Sequence, residues 1–165
     1  MLNAELIKAL NEQIGSELGA SNHYLAISSY FAMQSLDDWA AFFMRQSDEE
    51  RMHAQKIINF LIDNDASFNL PALAAEKTDF TDALEAVNSA LESERKVTEQ
   101  FNNMASIAQK NADFRGMQFL QWFIDEQVEE EASMGKLVDL VKSGLNLFQA
   151  QQYLPAPHAE AGPEA

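Results

Sequence analysis

The chain has 165 residues, with 26 acidic and 11 basic side chains and a formal charge of −15. Such a charge repels nucleic acid and anionic membranes and draws cations. There is no cysteine, which removes disulfides, thiolate catalysis, Cys-based zinc sites and Cys-ligated iron–sulfur clusters. The start, Met1-Leu2-Asn3-Ala4-Glu5, has no basic segment followed by an apolar run, and no apolar stretch is long enough to span a membrane. The expectation is a cytoplasmic protein with one domain over residues 1–154 and a disordered tail over 155–165. A chain of this size can bury roughly 70% of the surface it exposes when unfolded.

Prolines fall only at 71, 155, 157 and 163, so residues 1–70 and 72–154 are free to form long helices. Apolar spacings of three and four predict four of them. The first line runs Leu6, Leu10, Ile14, Glu17, Ser21, Tyr24, Ser28 and Phe31. Ser35-Leu36-Asp37-Asp38 offers capping residues for a second helix, whose line is Trp39, Phe42, Gln46, Glu50, His53, Ile57 and Phe60. Residues 65–80, with Pro71 inside, are too long for a hairpin turn and suit a connection that returns along the bundle. Thr81 or Asp79 is expected to cap a third helix with the line Leu84, Val87, Leu91, Glu94, Thr98, Phe101, Ala105 and Ala108. After a turn at Asn111-Ala112-Asp113, the fourth line is Leu120, Phe123, Gln127, Glu130, Met134, Leu137 and Val141. Gly144 suits the position just past its end. Leu145 to Leu154 allow a short fifth helix.

Two helical hairpins joined by one long crossover define an all-α, ferritin-like four-helix bundle. A main helix of about 28 residues would be about 42 Å long.

Each core line is interrupted near its middle by a polar group: Glu17, then Glu50 and His53, then Glu94, then Gln127 and Glu130. Mid-helix positions of an antiparallel bundle converge at one level, so these groups are expected to meet. Buried carboxylates are unfavourable unless paired or bound to metal. Glu50 and His53 form E-x-x-H, which sets both side chains on one helix face. Imidazole suits iron and carboxylates suit hard cations. The pattern predicts one metal held by His53, Glu17 and Glu50, and a second held by Glu50, Glu94 and Glu130. Glu49, Glu126 and Glu129 lie beside this set, with Glu130 between the two groups, and offer a third iron position. Singly, each glutamate is more often a solvated surface residue. Five ligand-type residues converging on the core lines outweigh that reading. His23, His158 and Glu131 are not assigned to iron, and Trp39, Trp122 and the methionines are read as packing residues.

At this point the sequence resembles the bacterial non-haem ferritins. The resemblance is carried by Asn11-Glu12-Gln13 with Glu17, by Tyr24, by Asp48-Glu49-Glu50-Arg51-Met52-His53, by Glu94, and by Phe119 through Glu131. It implies a di-iron ferroxidase that oxidises Fe(II) with O2 or peroxide, with Glu17, Glu50, His53 and Glu94 as ligands and Gln127 beside them. It further implies a third site at Glu49, Glu126, Glu129 and Glu130, a tyrosine beside the iron at Tyr24, and a homo-oligomeric shell of 24 subunits that stores ferric mineral. Haem-binding bacterioferritins carry a second E-x-x-H on the fourth helix and a methionine directly after the first E-x-x-H glutamate. Here those positions are Gln127 with Glu130, and Arg51, so no haem is expected. No nucleic-acid or membrane partner is expected either. The rivals are a rubrerythrin-like di-iron enzyme, disfavoured by the lack of cysteine, and an acidic helical interaction protein, which leaves the buried carboxylates unexplained.

Overall fold

The computed structural model describes residues 2–157; Met1, His158 and most of the expected tail lie outside the described residues. Four long helices dominate: α1 (Ala4–Ala32), α2 (Asp37–Asp63), α3 (Ala83–Lys110) and α4 (Phe114–Lys142). A one-turn helix α5 (Leu147–Ala150) runs into a 3-10 turn at Gln151–Tyr153. No strand occurs among the described residues.

Local chemistry sets the boundaries. Asn3 caps α1 by accepting the Glu5 and Leu6 amides. Asp113 caps α4 by accepting the Gly116 amide. The first three helices are each followed, two or three positions on, by a residue in the left-handed region: Ser35, Asp65 and Ala112. In each case the next amide bonds back to a carbonyl of the last turn, as Leu36 does to Phe31, Ala66 to Leu61 and Asp113 to Ala108. Two expected caps differ. Leu36 precedes α2 with no side-chain cap, and Asp37 and Asp38 act instead as first-turn negative charges at the helix N-terminus. Asp82 caps α3, replacing Thr81 or Asp79, because its carboxylate reaches the Glu85 amide while Glu85 reaches back to the Thr81 amide and to Lys77. Gly144 takes φ 78° just past α4, as expected.

α1 packs along α2 and α3 along α4, and α1 meets α3 across the bundle. The α1–α3 pair is antiparallel: Ser16 faces Gln100 and, further along α1, His23 faces Ser89. Residues 64–82 therefore run the length of the bundle as an extended strap. Asn11 holds the strap by donating to the Ser67 carbonyl and accepting the Asn69 amide. Pro71 lies against Gly15, where a Cβ would come within 2.8 Å of the proline ring. His23 lies 3.3 Å from the Glu76 carboxylate. The short C-terminal segment is pinned to the start of α2, where the Trp39 indole donates to the Leu147 carbonyl and the Asp38 amide to the Gln151 side chain.

The core falls into two apolar clusters. One gathers Ile27, Phe31, Trp39, Phe43, Val87 and Leu137, with Phe31 stacked on both Trp39 and Phe43. The other gathers Leu6, Leu10, Ile57, Leu61, Phe101 and Phe123. The first and fourth core lines are buried nearly as expected; Val141 is half-buried and Val138 takes its place. On α2 the buried face ends on Leu61 instead of Phe60. On α3 it runs through Ala83, Ala86, Ala90, Val97 and Met104, leaving Leu84, Leu91, Thr98 and Ala105 half-buried. The reason is size: alanines at 83, 86 and 90 let the neighbouring helix approach, so the larger leucines sit at the seam.

Gly116 on α4 is packed against Leu6 of α1, since a Cβ there would collide with Leu6 Cδ2 and come within 3.3 Å of Asp113. Gly116→Ala should therefore destabilise the subunit by about 1–3 kcal/mol through overpacking, despite the better helix propensity of alanine. Chemical denaturation of the assembled protein checks this, and a gain in stability would contradict the packing.

Candidate metal centre

Between the two apolar clusters lies a polar layer to which every long helix contributes. Glu17 from α1, Glu50 and His53 from α2, Glu94 from α3, and Gln127 and Glu130 from α4 are all buried, none more than 6% exposed. The E-x-x-H spacing sets Glu50 and His53 one turn apart, with His53 Nδ1 3.4 Å from Glu50 Oε2. The same nitrogen is 3.7 Å from Glu17 Oε2. Glu17, Glu50 and His53 thus each offer a ligand atom, all within 4.8 Å of one another. This is the three-residue set the sequence predicts for the first metal.

The second metal's expected residues are arranged differently. Glu94 is engaged on both oxygens: the Tyr24 hydroxyl donates to one, and Gln127 Nε2 donates to the other at 3.0 Å. Gln127 also donates to the Glu94 carbonyl and to Thr98. It addresses Glu94 through its nitrogen, so in this arrangement it orients a carboxylate. Glu17 is steadied in the same manner by Gln13, whose amide donates to Oε1 at 2.8 Å.

Several buried carboxylate oxygens have no hydrogen-bond partner: Glu17 Oε2 and both oxygens of Glu50 and of Glu130. Buried acceptors are almost always paired, and each unpaired one costs about 1–3 kcal/mol. The electrostatics agree. Burial, followed by the charges of Glu94 and Glu17, pushes Glu50 well above the ordinary carboxylate range. Burial, then Glu94 and Glu49, does the same to Glu130. Glu94 is raised by burial against the pull of Tyr24 and Gln127. Burial also opposes the charge on Glu17, but its proximity to His53 and Glu50, with the bond from Gln13, holds it below the ordinary value. Burial opposes the charge on His53, but the nearby Glu17 and the surrounding carboxylates raise it. Tyr24 is held protonated by burial and by Glu94 and Glu50. The cluster is short of positive charge, and a cation among hard oxygens and one imidazole supplies it.

The outer acidic residues divide. Glu49 and Glu126 are half-buried, and both lie close enough to raise Glu130; Glu129 is exposed. Glu131, not assigned to iron, is half-buried and accepts the Thr98 hydroxyl at 2.6 Å. His23 is held by Ser89 of α3 and lies beside Glu76 of the strap. The Trp122 ring packs edge to face on His53 at 5.4 Å, with the Lys56 ammonium 4.0 Å over it. The glutamines at 13 and 46 escaped sequence reasoning as functional groups. Their spacing to glutamates, four residues for Gln13–Glu17 and three for Gln46–Glu49, is the signal that finds them.

A four-helix bundle with a carboxylate-rich mid-helix cluster is the ferritin-like class. Residues 7–143 match the ferritin-like domain family. A bacterial non-heme ferritin of Staphylococcus aureus is 42% identical over 132 residues, 80% of each chain. One from Staphylococcus epidermidis is 38% identical over 139 residues, 84% of each. Among solved structures, an open pore ferritin from the archaeon Archaeoglobus fulgidus superposes with a TM-score of 0.91 at 29% identity, covering 96% of this chain and all of its own. A humanized archaeal ferritin gives a TM-score of 0.88 at 28% identity, with 93% of each chain covered. The chain belongs to the ferritin family, and iron storage with ferroxidase activity are the general properties that go with that membership.

Proposed function

We propose that this chain is an iron-storage ferroxidase whose substrate, Fe(II), is oxidised at Glu17, Glu50, His53 and Glu94. The observation that carries this is the set of partnerless carboxylate oxygens of Glu17, Glu50 and Glu130, buried at one level beside His53. Two Fe(II) ions each give up one electron, and the two electrons with two protons from solvent reduce O2 to hydrogen peroxide or hydrogen peroxide to two waters. Glu50 is close to Glu17 and His53 and also feels the charge of Glu94, which suits a carboxylate shared by two ions. Gln13 and Gln127 fix the flanking carboxylates. Tyr24 is hydrogen-bonded to Glu94, placed to pass its proton to that carboxylate if it supplies an electron. Glu49, Glu126, Glu129 and Glu130 form a third iron position on the way out. The ferric product hydrolyses to mineral in the interior of a homo-oligomeric shell of 24 subunits in the cytoplasm, each a single unit through residue 154. Haem, nucleic acid and membrane have no part in this reading. Among the described residues no helix is long and apolar enough to cross a membrane.

Aerobic Fe(II) loading of the metal-free protein, far beyond two ions per chain, tests the proposal. Iron should co-elute in large excess with a particle of many subunits. Iron stopping at two or three per chain on a small oligomer would instead indicate a di-iron enzyme without storage.

A further inference from the structure

Gln46 is 97% buried by its environment, retaining 3% exposure, on the second core line one turn before Glu50. An amide at such a position needs partners for both its nitrogen and its oxygen. Its nitrogen has one: Nε2 donates to Glu49 Oε2. Its oxygen has none. Turning the amide over does not help, because oxygen would then face the Glu49 carboxylate, acceptor against acceptor. The network thus fixes nitrogen on Glu49 and leaves a hard, neutral oxygen beside the same carboxylate.

The carboxylate that Gln46 addresses belongs to an acidic group. Glu49 and Glu126 bear on Glu130, which is 1% exposed with both oxygens partnerless. A cation is the species that satisfies an orphan amide oxygen and orphan carboxylate oxygens together, since each is a hard donor. We propose that Gln46 is the neutral member of the third metal position, its nitrogen orienting Glu49 and its oxygen facing the metal. The inference rests on the third position described above. Its chemical consequence concerns affinity. Cation affinity at oxygen sites is tuned by the number of charged ligands. An amide where a carboxylate would fit keeps the position one negative charge poorer, and so holds a divalent ion loosely enough to pass it on.

The test uses the assembled, metal-free protein and Zn(II), which binds oxygen and nitrogen ligands without redox chemistry. Calorimetric titration resolves the first binding steps from the third, and circular dichroism with sizing confirms the shell for every variant. Gln46→Leu should weaken the third step at least tenfold and leave the earlier steps at parental affinity. Gln46→Glu, which keeps the shape and adds a charge, should tighten it at least tenfold. A purely structural glutamine would not give opposite signs for these two variants. Glu130→Ala separates the two layers of the argument. Survival of the third step in Glu130→Ala would remove the third position itself. Loss of the step in Glu130→Ala with parental affinity in Gln46→Leu, or no tightening in Gln46→Glu, would overturn the role of Gln46 while leaving the third position intact. Should Gln46→Leu fail to assemble, Gln46→Glu alone decides.

Discussion

Glu50→Ala should lower the initial rate of aerobic Fe(II) oxidation at least ~100-fold while the shell still assembles; loss even of an outer-shell partner of a metal typically costs 10–100-fold. Glu50 is the residue through which the cluster is joined. Its Oε2 lies 3.4 Å from His53 Nδ1, and its charge is opposed by those of Glu94 and Glu17. Removing it separates the Glu17–His53 pair from Glu94 and leaves neither half with enough charge for two ions. The same change relieves the metal-free fold of two buried, partnerless oxygens. Stability should therefore hold or rise as activity falls, offset in part by the cavity left behind. Stopped-flow absorbance for the ferric product and thermal unfolding measure the two quantities. Parental oxidation by an assembled Glu50→Ala shell would refute the site assignment.

The second large effect links metal, pH and stability. Glu50, Glu94 and Glu130 are raised in the folded state above their unfolded value of 4.5, and His53 above 6.5. A group raised on folding binds more protons in the native state, so its contribution is fully present below the unfolded value and is lost as pH climbs through the folded one. Glu17 is lowered and acts in the opposite sense, losing its contribution as pH falls below 4.5. Four groups against one make the metal-free protein less stable as pH rises from about 5 toward 8. Zn(II), or Fe(II) without oxygen, replaces those protons and should restore stability by an amount that grows with pH. At a hundredfold excess over its dissociation constant, one bound ion contributes about 2.7 kcal/mol. Apparent melting midpoints with and without Zn(II) across that pH range read this directly. Glu50→Gln should flatten the metal-free slope, and an unchanged slope would show that the cluster does not govern it.

The sequence carried most of the architecture because long proline-free stretches and a three–four apolar rhythm admit few alternatives. It carried Glu17, Glu50, His53 and Glu94 because a charged residue in the middle of an apolar line conflicts with burial, and the conflict shows in one dimension. What it could not carry depends on contacts between lines. The α3 face is turned toward Ala86, Ala90 and Val97 because small residues set helix separation, and a line drawn by hydrophobicity alone favours the larger Leu84 and Leu91. Asp82 outcompetes Thr81 and Asp79 through the placement of Glu85. Gln127 was placed beside the metal by its position, yet only its donation to Glu94 shows which end of the amide matters. Gln46 sat in plain view on the second line, but its partnerless oxygen exists only once Glu49 has taken its nitrogen.

The layout of the cluster also bears on how the chain acquires it. Glu17, Glu50 and His53 belong to the first hairpin, and Glu94, Gln127 and Glu130 to the second. The two hairpins are joined only by the strap over residues 64–82. During synthesis the first hairpin emerges before any of the second is made. In the folded chain three of its ligand atoms lie within reach of one another. An ion caught there would be waiting when α3 and α4 dock, adding attraction across a seam that otherwise brings acid against acid. Iron would then be a folding partner of the nascent subunit before it is ever the subunit's cargo.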